Sequence, residues 1–201
     1  MKFKSLILSA TMLLACATGM NAQKDAAYIG AKVGMNIADV NADDSDPRIG
    51  LCAGFMGEYF ITDKFAVQGE VLYSMQGYKY DGNNAGLSAD ATAKMDYLNI
   101  PILAKLYLKN GLNIYAGPQF GFCVKSKMEV ESGSNSATVD MKDQTNTFDF
   151  GLALGVGYDF PMGLTTDLRI TPSFTNVMKD PETDDDKFKN FVVSLSVGYK
   201  F

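Results

Sequence analysis

Phe148-Asp149-Phe150-Gly151-Leu152-Ala153-Leu154-Gly155-Val156-Gly157-Tyr158-Asp159-Phe160 carries an apolar side chain at every second position, with only small or acidic residues between. Successive side chains of an extended chain point to opposite faces, so this stretch reads as a strand with one wholly apolar face. Thirteen residues rise about 40 Å, or about 30 Å along a membrane normal at a tilt near 40°, enough for an apolar band of roughly 25 Å with aromatic rims. The rims are visible in the stretch itself: Phe148 and Phe150 stand at one end, Tyr158 and Phe160 at the other, and aliphatic residues lie between.

Seven further segments keep the same parity. The last sets Phe191, Val193, Leu195, Val197, Tyr199 and Phe201 against Val192, Ser194, Ser196, Gly198 and Lys200. The fifth opposes Leu112, Ile114, Ala116, Pro118, Phe120 and Phe122 to Asn113, Tyr115, Gly117, Gln119, Gly121 and Cys123; the fourth opposes Leu98 through Leu108 to Tyr97 through Tyr107. Less pure versions begin at Ile29, Ile49, Phe65 and Leu164. The connections Ile61 to Lys64, Lys109 to Gly111 and Pro161 to Gly163 are tight. Those from Asp39 to Arg48, Tyr80 to Lys94, Ser126 to Asn146 and Met178 to Lys189 are long and polar. This pattern predicts an all-β fold, an eight-stranded antiparallel up-and-down transmembrane β-barrel with short periplasmic turns and long extracellular loops.

A soluble lipocalin-like barrel with its apolar face inward would alternate in the same way. Three features oppose it. The polar face is rich in Gly, Ala and Ser, which make room for a few large residues in a narrow lumen. Aromatics sit at both ends of the apolar face, and the chain closes on an aromatic strand.

Composition narrows the chemistry. The 201 residues are 47% hydrophobic and 20% charged, with no His and no Trp. Without histidine no Ser-His-Asp or Cys-His catalytic arrangement and no imidazole metal site can form, so an enzyme is not expected and no cofactor is implied. Met1-Lys2-Phe3-Lys4, the apolar run Leu6 to Ala17 and the exit Thr18 to Ala22 read as a secretory signal peptide over 1–22, leaving 23–201 as the barrel domain. Leu13-Leu14-Ala15-Cys16 carries a second reading, a lipoprotein box acylated on Cys16, which Leu14 fits poorly. Losing Lys2 and Lys4 with the leader takes the 18 basic residues to 16 against 23 acidic ones, a poor balance for binding nucleic acid. Cys52 and Cys123 fall on non-neighbouring strands and are expected as small interior fillers rather than a disulfide.

Tyr97-Leu98-Asn99-Ile100-Pro101-Ile102-Leu103-Ala104-Lys105, Gln68 to Gly77, Gly117-Pro118, and Asp167-Leu168-Arg169 leading to Thr175-Asn176-Val177 resemble the small outer-membrane β-barrel proteins of Bacteroidota, porin-like or PorT-type. Asn99 stands where that family's strand four carries Glu. The resemblance spans the whole mature chain and implies location in the bacterial outer membrane. The terminal Val197-Gly198-Tyr199-Lys200-Phe201 looks like a C-terminal assembly signal, with Tyr199 and Phe201 as its aromatic marks. The implied partners are outer-membrane lipid, periplasmic chaperones and the barrel-assembly machinery, with an unidentified partner outside the cell.

With the polar face inward, Lys32, Glu58, Glu70, Lys105, Asp159, Asp167 and Arg169 share the turn-side half of the lumen, near enough to neutral to pair with one another. Tyr28, Tyr78, Tyr97, Tyr107 and Tyr115 project inward too. A paired interior closes the lumen and leaves a structural or surface-interaction role through the loops, secretion-associated in the PorT manner. The alternative is a small porin or transport protein for ions or small solutes, since ionisable groups at membrane depth often mark a path. Asp39-Val40-Asn41-Ala42-Asp43 opens like a calcium loop, but Asp44 replaces the required Gly and Gly50 the bidentate Glu. Together with Asp46, and with Asp180, Glu182, Asp184, Asp185 and Asp186 in the last loop, it reads as a solvated acidic rim. Ser126 to Asn146 reads as mobile and exposed. The Gly151 to Gly157 glycines lie in a strand with no following helix, so they form no dinucleotide loop.

Overall fold

The computed structural model describes residues 27–41, 45–84, 87–132, 135–179 and 188–201. The expected signal peptide with Cys16, Asp43, Asp44 and the acidic run from Asp180 to Asp186 lie outside the described residues. The strands are β1 (Ala27–Val40), β2 (Ser45–Thr62), β3 (Phe65–Asn84), β4 (Leu87–Tyr107), β5 (Leu112–Ser132), β6 (Asn135–Asp140), β7 (Phe148–Asp159), β8 (Leu164–Asn176) and β9 (Lys189–Lys200). Each of β1 to β4 pairs antiparallel with its successor, β5 with β7, β7 with β8 and β8 with β9. Pairing of β9 with β1, Ala31 opposite Tyr199 and Ile37 opposite Val193, closes a ring of eight strands.

The register puts the two faces where lipid requires them. Phe55, Leu51, Val33, Leu195 and Val197 are exposed on the outside, whereas Lys32, Glu58, Glu70, Gln68 and Arg169 are buried within. A water-soluble barrel would invert that distribution; here the exposed apolar surface is the membrane contact. The aromatic rims form packed rows. Phe122 meets Phe148 at 5.8 Å and Phe120 meets Phe150 at 5.5 Å on the outer side, while Tyr158–Phe160 (4.7 Å) and Tyr199–Phe201 (5.5 Å) line the turn side. On the turn side the chain reverses within a few residues. Between β4 and β5, Asn110 (φ 58°) and Gly111 (φ 84°) take the left-handed backbone that a tight hairpin demands.

The outer side departs from expectation. Much of what the sequence reads as loop is strand: β3 runs to Asn84 and β4 starts at Leu87, paired with each other up to the turn. Ser126 to Ser132 continues β5, and Asn135–Asp140 folds back on it as β6, outside the closed ring. The reading of Ser126 to Asn146 as a mobile loop is therefore corrected to a hairpin. The physical reason is that a strand above the membrane needs no apolar face. Its ladder bonds and cross-strand pairs hold it, and the period-two signal disappears. The result is a wall of β3, β4, β5 and β6 rising above the lipid on one side of the barrel.

Candidate functional site

All eight ring strands contribute to one buried network in the turn-side half of the lumen. β3 supplies Glu70 and β8 supplies Arg169, whose guanidinium meets both carboxylate oxygens at 2.8 Å. Lys32 from β1 reaches Glu70 at 2.9 Å and Asp167 at 2.9 Å. Tyr115 of β5 donates its hydroxyl to Asp167 at 2.7 Å and accepts from Arg169 Nε at 3.2 Å, with the guanidinium over its ring.

A second layer lies nearer the turns. Lys105 of β4 pairs with Glu58 of β2 at 2.8 Å and approaches Asp159 of β7 at 3.8 Å. Lys200 of β9 bridges the same two carboxylates at 2.7 and 2.6 Å. Tyr107 lies within 2.7 Å of Glu58 and 2.6 Å of Asp159 and accepts from Lys200 at 3.0 Å. Its single phenolic proton can serve only one carboxylate at a time, so the lysines must hold the other. Gln68 joins the layers, accepting from Lys105 at 3.0 Å and donating to Glu70 at 2.6 Å.

The structure thus brings together all seven residues singled out in the sequence, and adds Lys200, Gln68, Tyr107 and Tyr115 as working members. Lys200 is the charged member of this network that the sequence reading leaves out. The signal was present: it shares the inward parity of Ser196 and Gly198 and lies between the outward Tyr199 and Phe201. With it, Lys32, Lys105, Arg169 and Lys200 balance Glu58, Glu70, Asp159 and Asp167. Balanced charges with hydrogen-bonded lone pairs are the condition under which buried ions are tolerable.

Above these layers the lumen is lined mostly by neutral polar groups, with the buried Asp149 near the outer end accepting from Ser173 at 2.7 Å. Asn36 donates to Ser74 at 2.8 Å and accepts from Ser194 at 2.8 Å, and Gln76 donates to Ser74 at 3.0 Å. At the outer end Val40, Met95, Tyr97, Cys123 and Val177 pack as an apolar stopper, with Tyr78 and Phe188 against it. The gaps beside the charged layers and beside Asn36 measure about 10 and 20 Å³, room for a water molecule or so. Cys52 and Cys123 are both free and buried. Tyr199 and Phe201, the expected assembly marks, lie exposed on the lipid side at the turn end. Of the calcium-like loop, Asp39 is turned to local bonds, accepting from Val40 N–H at 2.8 Å and Ser45 at 2.9 Å.

Comparison with solved structures finds the same architecture. A major outer membrane protein from Thermus thermophilus aligns with a TM-score of 0.50 at 15% identity, covering 87% of this chain and 99% of that one. Neisserial surface protein A aligns at 0.48 and 14% identity, covering 87% and 97%. Ail, the attachment invasion locus protein of Yersinia pestis, aligns at 0.47 and 14%, covering 88% and 99%. No curated protein matches in sequence. The family model described as outer membrane protein beta-barrel domain matches residues 21–179. The chain therefore belongs to the outer membrane protein β-barrel domain family and resides in the bacterial outer membrane.

Proposed function

We propose that this barrel is a non-conducting platform that works at the cell surface through its extracellular wall and loops. The observation that carries the reading is the lumen. Two charge-balanced layers, drawn from every ring strand, and an apolar stopper fill the lumen, and the gaps beside the charged layers and beside Asn36 are water-sized. An ion would have to break a bidentate Arg169–Glu70 pair to pass. A secretion-assisting role, as the PorT-type resemblance implies, is one form that such surface work takes. Tyr199 and Phe201 then serve assembly, offering aromatic side chains to the machinery that inserts the barrel.

The test is planar-bilayer recording of the purified, refolded barrel. The expected result is a flat baseline across the applied voltages. Reproducible single-channel steps that vanish on heat unfolding would defeat the plug and favour a small porin.

A further inference from the structure

We propose that the outer half of the lumen holds one monovalent metal cation, of the sodium class, between Asp149 and Asn99 in the space that Gly121 leaves open. The three residues form a row across adjoining strands. Asn99 of β4 stands opposite Gly121 of β5, and Gly121 opposite Asp149 of β7. Asn99 and Asp149 are buried, one inward step below Tyr97 and Cys123 of the apolar stopper.

Asp149 is the exception among the buried carboxylates. Among the described residues Glu58, Glu70, Asp96 and Asp167 each meet a lysine or arginine. Asp149 has one hydrogen-bond partner, the Ser173 hydroxyl at 2.7 Å, and no described basic side chain lies close enough to act on it. A lone buried carboxylate is costly until a proton or a cation relieves it. Asn99 adds to the surplus of acceptors: its Oδ1 is buried without a hydrogen-bond partner, and its residue is only 5% exposed. The Tyr97 hydroxyl, a nearby donor, is turned to Met95 instead. One proton makes one such bond, whereas a cation gathers the carboxylate and amide oxygens together.

Gly121 makes the room. Its backbone is not left-handed, so chain direction does not require glycine here. A Cβ would lie 3.0 Å from Asn99 Oδ1 and 3.2 Å from Asp149 Cβ, in the middle of the row. Asn99 also lines the gap of about 20 Å³ that Gln119 and Arg169 share, which has space for a water ligand or so. Carboxylate, amide oxygen and water are donors for hard ions. Charge fixes the class: one carboxylate neutralises one positive charge, and a divalent ion would leave a surplus near Arg169. The stopper above and the charged layers below enclose the ion, so it enters as the barrel folds and is retained rather than passed.

The experiment refolds the barrel into phosphatidylcholine vesicles at neutral pH in sodium chloride, in choline chloride of equal ionic strength, or in choline chloride with calcium, and reads the urea midpoint. In wild type the midpoint is expected to climb with each tenfold of sodium above the dissociation constant and to exceed that in choline, an ion too large for the space. Asp149→Asn is expected to lose the sodium response and, in choline, to be more stable than wild type because the lone charge is gone. Gly121→Ala, which fills the space but leaves the carboxylate, should lose the response while keeping the folded gel band. Asp63→Asn, exposed in the β2–β3 turn, keeps it. Asn99→Asp, with two carboxylates over Gly121, should respond to calcium instead. Equal midpoints in sodium and choline for wild type overturn the proposal, leaving Asp149 protonated or bonded to a reversed Asn99 amide. So does a sodium response that survives Asp149→Asn, or a wild-type response to calcium alone. Should Asp149→Asn not fold, wild type and Gly121→Ala decide: the same sodium response in both refutes the site.

Discussion

Arg169 and Glu70 face each other across the full width of the lumen, joined by two parallel N–H···O bonds of 2.8 Å. Their strands, β8 and β3, stand four places apart whichever way the ring is followed, so the pair is a diametric strut. A bidentate fork holds direction as well as distance. The strut therefore resists ovalisation of the barrel, which pairing between neighbouring strands does not.

Removing one partner should cost far more than removing both. Glu70→Gln leaves Arg169 and Lys32 to share the single carboxylate of Asp167, one buried positive charge in excess, and is expected to destabilise the barrel by about 3–5 kcal/mol. Adding Arg169→Gln should restore part of that loss. Among the described residues Glu70 and Lys105 share no direct ion pair and are joined through Gln68, so their double variant should be closer to additive. Urea unfolding of variants refolded into phosphatidylcholine vesicles measures each corner. Additivity for Glu70 with Arg169 would refute the strut.

Gly155 exists to seat a ring. A Cβ at this position would lie 2.4 Å from Cζ and the hydroxyl oxygen of Tyr115. Gly155→Ala should therefore lose about 1–3 kcal/mol by displacing Tyr115 from Asp167. Combining it with Tyr115→Leu should cost less than the sum of the two changes. A Gly155→Ala barrel with an unaltered urea midpoint would show that the ring has room to move.

These two sites differ in how far the sequence exposes them. Parity alone assigns Glu70 and Arg169 to the lumen, because every second residue around them is apolar and must meet lipid. Their partnership across the ring depends on stagger between distant strands, which no local spacing encodes. Lys200 was legible by the same parity as Ser196 and Gly198. The β5–β6 hairpin was not: Asn135-Ser136-Ala137-Thr138-Val139-Asp140 lies above the bilayer, where nothing imposes an apolar face and turn-like residues serve equally as strand. The lipid writes the pattern, so legibility ends where the lipid does.

Leu195 sits at the middle of β9 with 61% of its surface exposed. In water an exposed leucine accepts a charge at little cost, but at the midplane of a bilayer Leu195→Arg should destabilise by about 2–4 kcal/mol. Lys94→Arg on the wall should be neutral by comparison. The same urea titration in vesicles distinguishes them, and a harmless Leu195→Arg would place this face in water.

Cys52 and Cys123 are 5% and 3% exposed, on strands β2 and β5 that do not adjoin in the ring. Both thiols are free. Maleimide should leave them unmodified in the folded barrel and label both after boiling in SDS. Gel mobility of the unfolded chain should be the same with and without reductant. Faster migration without reductant would reveal a disulfide, and with it a lumen able to bring β2 and β5 together, which is incompatible with the Asn36, Asn99 and Gln119 side chains that line the lumen beside Cys52.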